Sequence, residues 1–226
     1  LTYGMPPALT AATGVDALTH AIESCVSRKA TKLTIDFSLR AVGRLARFLP
    51  VAFASPDDAV ARRECLLGSL EAGIAFTNSS VALVHGMARP LGAKFGIPHG
   101  VSNAVLLEAI MRFSLPGAQE RYARLAEAMG AVPAGTPLET ARAGLGIVSR
   151  LVRELRRLPQ LAQAPVLMVS TEAQMQDAAA AEEAGANGYL IKPARPRDLV
   201  LTAALLMGDG VTARRIAAGR MQGVSA

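Results

Sequence analysis

Apolar side chains recur at steps of three and four residues through the first 158 residues, and this periodicity most constrains the fold of the chain. Such spacing puts apolar residues on one face of an α-helix, whereas an exposed strand needs strict alternation, which is nearly absent here. The pattern predicts a mainly α fold, a helical bundle. A long helix is predicted from the cap cluster at 55–58 to about residue 76. The other predicted helices cover residues 8–27, 34–49, 81–89, 100–113, 117–130 and 137–157.

Helix ends are predicted from cap residues and from breaks in the pattern. Pro6 and Pro7 precede the first helix, and Pro50 is predicted to end the second, because a proline inside a helix removes a backbone donor. Asp58 belongs to a Ser-Pro-Asp-Asp cluster that is typical of a helix start. A break is expected at 77–80, where polar residues interrupt the apolar run.

The pattern changes after about residue 158. A continuous apolar run at 164–170 and a shorter one at 189–191 predict two buried parallel strands, each followed by a helix. These elements form a β-α-β-α unit, and the last residues, 209–226, are weakly patterned. We therefore predict two domains, a helical one over 1–158 and a small β-α-β-α segment with a tail over 159–226.

Composition narrows the classes of partner. Aromatic residues make up 4% of the chain and tryptophan is absent, which argues against a nucleic-acid surface built on stacked rings. The net charge of +6 comes from the first 158 residues, where an arginine-rich helix face is the simplest explanation. We find no signal peptide and no convincing membrane span, and the two cysteines suggest a reducing compartment, so we expect a cytoplasmic protein without membrane partners.

The three histidines of the chain stand in unusual places. Asp16 and His20 are four residues apart on the first helix and so share a face. His85 and His99 flank a Gly/Pro-rich segment far along the chain. One carboxylate and three imidazoles could together bind a divalent transition ion, for which iron and zinc are the candidates. From spacing alone, three satisfied core histidines remain an equal alternative.

Two motifs carry a resemblance to a known family. GVDALTHAIES at 14–24 and SLEAGIAFTNSSVALVHGMARPLGAKFGIPHGVSNAVLL at 69–107 closely resemble the iron-containing alcohol dehydrogenases, and the similarity runs from about residue 6 to about 155. The resemblance implies that Asp16, His20, His85 and His99 are the metal ligands and that His85 and His99 are also the catalytic residues. It implies Fe2+ or Zn2+ as the ion and NAD(P) as the redox partner.

The resemblance also implies a reaction. The metal would polarise the oxygen of a small alcohol or aldehyde while hydride passes to or from the nicotinamide. A homo-oligomer is the candidate assembly. The family usually has the motif HxMAH, in which a second histidine follows the first by four residues. Here the first histidine is His85, and Arg89 takes the place of the second. This change puts proton transfer or contact with the cofactor in question, because an arginine stays protonated.

A second departure concerns the dinucleotide. The family has an N-terminal α/β domain with a glycine-rich loop, and nothing of that kind precedes residue 1 in the sequence. No cofactor-binding residue is therefore identified, and NAD(P) is expected only if such a domain is supplied. Without it, we expect the chain to bind nicotinamide poorly.

The segment from about 161 to 207 resembles the C-terminal half of a response-regulator receiver domain, a flavodoxin-like unit. Ser170, Tyr189 and Lys192 fall at the switch hydroxyl, the aromatic switch position and the phosphate-contacting lysine of that family. The phospho-acceptor aspartate is missing, so phosphorylation is not expected. Two alternatives to a dehydrogenase module follow, a signalling or interaction protein with a degenerate receiver-like segment and a non-functional fused fragment.

Overall fold

The computed structural model describes residues 2–95, 97–155, 167–170 and 188–191. By its internal contacts the chain divides into two compact units, Leu1–Ala162 and Gln163–Ala226. The domain assignment made from sequence, 1–158 and 159–226, stays a prediction.

The described part of the first unit is helical, as the periodicity predicts. Besides a single 3-10 turn at Leu115–Gly117, it contains α1 (Pro7–Val26), α2 (Lys32–Ala54), α3 (Ala59–Ser79), α4 (Leu83–Phe95), α5 (His99–Ser114), α6 (Gln119–Ala128) and α7 (Pro137–Leu155).

Local side-chain caps start three of these helices, and the cap of α7 is a pair of reciprocal hydrogen bonds between Thr136 and Glu139. The Thr31 hydroxyl accepts a hydrogen bond from the Thr34 N–H while the Thr34 hydroxyl accepts one from the Thr31 N–H, which forms a capping box at the start of α2. The carboxylate of Asp58 accepts from the Ala61 N–H at 2.9 Å and caps α3. The predicted helix start at the 55–58 cluster is confirmed.

Two predicted helix ends are wrong, and both involve proline. α2 continues through Pro50 to Ala54, and α4 continues through Pro90 instead of ending at 89. The buried side chains of Leu49 and Ala52 hold the last turns of α2 against the core, and their burial outweighs the one backbone hydrogen bond that the proline removes. α3 likewise continues to Ser79, through most of the expected break.

The core of the first unit surrounds α1, which packs against α2, α3, α5 and the N-terminal part of α4. Leu18 and Ile22 of α1 are fully buried and meet Leu45 and Leu49 of α2 in one apolar cluster. The opposite face of α1 carries the polar residues Asp16, His20 and Glu23, which belong to the site described below.

The second unit is described only in two short strands. β1 (Leu167–Ser170) and β2 (Gly188–Ile191) pair in parallel, with Leu167 opposite Gly188 and Ser170 opposite Ile191. The two predicted strands are thus present and parallel. The predicted helices 171–184 and 196–207, and Lys192, lie outside the described residues. Two strands do not define a flavodoxin-like sheet, and that assignment is not supported.

Among the described residues, no single helix has both the length and the apolar character to cross a membrane. The pair Ala59–Ser79 and Leu83–Ala93 passes that test only when counted together, with a bend of 101° between them.

Candidate metal centre

The four predicted ligands come from three helices. Asp16 and His20 lie one turn apart on α1, His85 lies in the first turn of α4, and His99 is the first residue of α5. The starts of α4 and α5 both face the middle of α1, which brings side chains that are 69 and 83 residues apart in the sequence to the same place.

Asp16 is the common neighbour of the three imidazoles. Its Oδ1 atom lies 3.9 Å from His20 Nδ1, 3.3 Å from His85 Nε2 and 3.4 Å from His99 Nε2. One ligand atom each from Asp16, His20 and His85 lie within 4.8 Å of one another, as a shared ion requires. The structure therefore brings Asp16, His20 and His85 into one group, and His99 lies beside that group in contact with Asp16.

Ring contacts hold the imidazoles in order. His20 is stacked between Phe76, with ring centroids 4.2 Å apart, and His85, at 4.3 Å. The rings of His85 and His99 are tilted to each other, with centroids 5.2 Å apart. Such stacking restricts the ring orientation, so the nitrogen atoms point into one common space.

A buried amide also enters that space. The Nδ2 group of Asn103, on α5, donates to Asp16 Oδ1 at 2.6 Å and lies 3.2 Å from Nε2 of both His85 and His99. The Asn103 side chain is fully buried, and its Oδ1 atom has no hydrogen-bond partner within the described part of the chain. A donor group thus lies where several acceptor atoms converge.

These atoms fit a divalent transition ion. The group that lies among the ligand atoms is an N–H donor, so the space favours positive charge. Three imidazoles and one carboxylate are ligands that iron and zinc accept, and the carboxylate supplies charge compensation. Asp16, His20, His85 and His99 would hold the ion.

Glu23 is a buried residue beside the cluster that sequence reasoning missed. Its carboxylate is buried and accepts hydrogen bonds from the Val84 N–H at 2.5 Å and from the His85 N–H at 3.3 Å. The same carboxylate lies 2.7 Å from His85 Nδ1. A signal was present in the sequence, because Glu23 follows Asp16 by seven residues and so lies on the same face of α1.

The site is buried on one side and open on the other. The exposed fraction of the side chain is 1% for His85, 19% for His20, 25% for Asp16 and 45% for His99. Solvent therefore reaches the cluster from the side of His99.

The environment shifts the pKa values of these groups in opposite directions. Burial lowers the pKa of His85, but hydrogen bonds to Asp16 and Glu23 outweigh that effect and raise it to about 9. Burial lowers the pKa of His20 to about 4, against the opposing attraction of Asp16. For Asp16, burial raises the pKa, but the hydrogen bond to His85 and the nearby imidazoles lower it below its ordinary value.

A glycine allows α5 to start close to α1. A Cβ atom at Gly100 would lie 2.6 Å from the carbonyl carbon of Ala12, far inside van der Waals contact. The two backbones meet directly there, and the preceding residue, His99, is placed over Asp16. Gly100 is thus part of the geometry of the site.

Arg89 lies one helical turn beyond His85 on α4, and its side chain is exposed. At this position the sequence departs from the HxMAH motif of the resembled family.

A helical bundle that gathers one carboxylate and three imidazoles from three helices offers the ligands of a possible transition-metal site. The chain belongs to the iron-containing alcohol dehydrogenases, since the family model for their C-terminal part matches residues 10–195. The family predicted from the two motifs is thereby confirmed.

Relatives agree with this assignment. The chain is 45% identical over 159 residues to lactaldehyde reductase of Escherichia coli, and the match covers 70% of this chain and 41% of that protein. It is 40% identical over 156 residues to 1,3-propanediol dehydrogenase of Klebsiella pneumoniae, covering 69% of this chain and 40% of that protein. The chain thus spans about two fifths of the length of these curated relatives.

Solved structures give the same answer for the fold. A crystal structure of a 1,3-propanediol oxidoreductase superposes with a TM-score of 0.67 and 32% identity, covering 95% of this chain and 53% of that one. The alcohol dehydrogenase from Oenococcus oeni superposes with a TM-score of 0.68 and 27% identity, covering 93% and 48%. The comparisons give no support to a receiver segment at 161–207, most of which the dehydrogenase family model covers.

Proposed function

We propose that this chain carries the metal centre of an alcohol dehydrogenase that interconverts a small alcohol and its aldehyde. Asp16, His20, His85 and His99 are the proposed ligands, and iron is the first candidate for the ion, with zinc the second. The observation that carries the proposal is the convergence of these side chains on Asp16 Oδ1 within 3.3–3.9 Å. Membership in the iron-containing family supports the choice of metal.

The bound ion supplies a Lewis acid for the substrate oxygen. The residues of this chain have separate tasks around it. Asp16 contributes the negative charge that offsets the cation, and the stacked rings of His20 and His85 form the buried wall of the site. His99, with 45% of its side chain exposed, borders the side from which a small alcohol or aldehyde would enter.

We propose NAD(P) as the hydride donor or acceptor. The proposal follows from the family and from relatives described as a lactaldehyde reductase and a 1,3-propanediol dehydrogenase. Hydride transfer needs the nicotinamide beside the substrate carbon, so the ring would approach the open side near His99. The dinucleotide-binding part would be the α/β domain that the family resemblance implies. A cytoplasmic location and a homo-oligomeric assembly stay predictions.

The experiment that tests the metal centre is elemental analysis of the purified chain. We expect about one iron or zinc ion per chain, and loss of that ion in Asp16→Asn and His85→Ala. The matched control is Asp36→Asn, an exposed carboxylate of α2 whose nearest ion-pair partner is Arg124 at 3.9 Å. Helical circular dichroism checks that each variant is folded. A folded wild-type chain without a stoichiometric ion would refute the proposal.

A further inference from the structure

Glu23 lies behind the proposed metal centre, on the side away from solvent. It follows His20 by one turn of α1, and its side chain is 3% exposed. A buried carboxylate is costly unless several donors surround it. Here three donors do so, namely the N–H groups of Val84 and His85 and the Nδ1 atom of His85.

The two nitrogens of the His85 ring face opposite partners. Nδ1 lies 2.7 Å from Glu23 Oε2, whereas Nε2 lies 3.3 Å from Asp16 Oδ1. An ionised carboxylate only accepts hydrogen bonds, so the ring must carry a proton on Nδ1. When an ion takes the place of the proton on Nε2, the lone pair of that nitrogen points toward the cluster around Asp16.

We infer that Glu23 is a positioning residue that fixes the tautomer and orientation of His85, so that Nε2 is presented to the ion, and that docks the start of α4 on α1. This inference rests on the proposed metal centre and extends it by one residue. The carboxylate of Glu23 can orient the His85 ring and dock the start of α4 at the same time, because its two oxygen atoms accept from different donors. Oε1 accepts from the Val84 N–H, and Oε2 accepts from the His85 ring and the His85 N–H.

The substitution Glu23→Gln tests the positioning of His85 separately from the packing of a buried side chain, because glutamine has nearly the same shape as glutamate. The amide has one acceptor oxygen and one donor nitrogen in place of two acceptors. If the oxygen stays with the Val84 N–H, the NH2 group faces Nδ1, and His85 must accept there and place its proton on Nε2. If the oxygen faces Nδ1, the backbone N–H of Val84 meets another donor. Either arrangement weakens the presentation of Nε2 to the ion.

The test is a competition titration of the full chain with Zn2+ against a chelator of known affinity at neutral pH. We expect Glu23→Gln to raise the dissociation constant for Zn2+ by about 10- to 100-fold, the range usual for partners behind a ligating histidine. The control is Glu71→Gln. Glu71 is a mostly buried carboxylate of α3 that lies away from the cluster and forms an ion pair with Arg44, with an N–O distance of 3.0 Å. We expect that variant to bind Zn2+ as the wild type does.

A second readout distinguishes positioning from a general loss of stability. In the Zn2+-loaded wild type, nitrogen NMR should show a protonated Nδ1 on His85 with its proton protected from exchange. In Glu23→Gln that proton should lose its protection, even where urea unfolding shows that the variant remains folded.

The outcomes separate the two proposals. Zn2+ binding by Glu23→Gln as tight as by Glu71→Gln, with the Nδ1 proton still protected, would overturn the role of Glu23 and leave the metal centre intact. A wild-type chain that binds no Zn2+ would overturn the metal centre and this inference together.

Discussion

Two carboxylates on one face of α1 have opposite surroundings. Asp16 has a quarter of its side chain exposed and contacts imidazoles, whereas Glu23 is buried and contacts N–H donors of α4. The His85 ring lies between them and hydrogen-bonds to both. Its position between them explains why its pKa rises to about 9, whereas burial lowers the pKa of His20 to about 4.

The raised pKa of His85 predicts how the stability of the metal-free chain depends on pH. Since the folded ring holds its proton more tightly than a free imidazole, the extra stability is fully present below pH 6.5. It is lost as the pH rises from 6.5 through about 9. We expect the free energy of unfolding to fall over this window by on the order of 2 kcal/mol.

Urea unfolding in the presence of a chelator at pH 7, 8 and 9 would measure this change. His85→Gln should flatten the decline between pH 6.5 and 9. His20→Gln should leave the decline above pH 7 in place, because His20 changes the stability only between its folded pKa of about 4 and its unfolded value of 6.5. Stability that is constant or rises across this range in the wild type would contradict the prediction.

At the scale of elements, the site depends on how closely α5 approaches α1. Gly100 permits that approach, since any larger residue would overlap the carbonyl of Ala12. The start of α4 is held differently, by the carboxylate of Glu23 on its first N–H groups. Both helices thus present their N-terminal turns to α1, one by backbone packing and one by a side-chain cap.

Gly100→Ala should destabilise the fold and disturb the site together. We expect a loss of about 2 kcal/mol in the free energy of unfolding, since overpacking a closed contact costs about 1–3 kcal/mol. Displacement of His99 should also weaken metal binding. Denaturant titration and a Zn2+ titration would measure the two effects.

The matched control is Gly73→Ala on α3, where an added Cβ meets nothing within 4 Å. Alanine favours the helix over glycine there, so we expect a gain of about 0.5–1 kcal/mol and unchanged metal binding. A Gly100→Ala chain as stable as wild type would show that α5 can shift without cost.

At the scale of the whole molecule, the proposed ion would join parts of the helical unit that the sequence keeps far apart. Asp16 and His99 are separated by 83 residues, and three different helices contribute ligands. Binding that occurs only in the folded state stabilises that state by mass action.

Metal loading should therefore raise the melting temperature of the helical unit. With free ion at 100 times its dissociation constant, the stabilisation is about 2.7 kcal/mol, which corresponds to a rise of about 5–10 °C for a chain of this size. Thermal unfolding followed by circular dichroism, with and without Zn2+, would measure it. Asp16→Asn should abolish the rise and Asp36→Asn should retain it; an equal rise in both variants would contradict a site at Asp16.

The sequence alone determined the helical class and the two strands, because the apolar pattern of neighbouring residues depends on the local backbone conformation. It also determined the family, because the two motifs are contiguous stretches of the sequence. The four ligand candidates could also be predicted from the sequence, since the chain has only three histidines and all four candidates lie in the two family motifs. Only the tertiary structure decided that α2 and α4 pass through Pro50 and Pro90, and at Pro50 the burial of Leu49 and Ala52 outweighs the lost hydrogen bond.

The tertiary structure alone also assigned the partners of the cluster. Glu23 meets Val84 across 61 residues, and Asn103 meets Asp16 across 87. The local pattern puts Glu23 on the Asp16 face of α1, but it does not show which groups a carboxylate or an amide meets across the fold. The direction from which solvent reaches the site was decided in the same way, because exposure depends on which helices pack over a side chain rather than on the residues beside it.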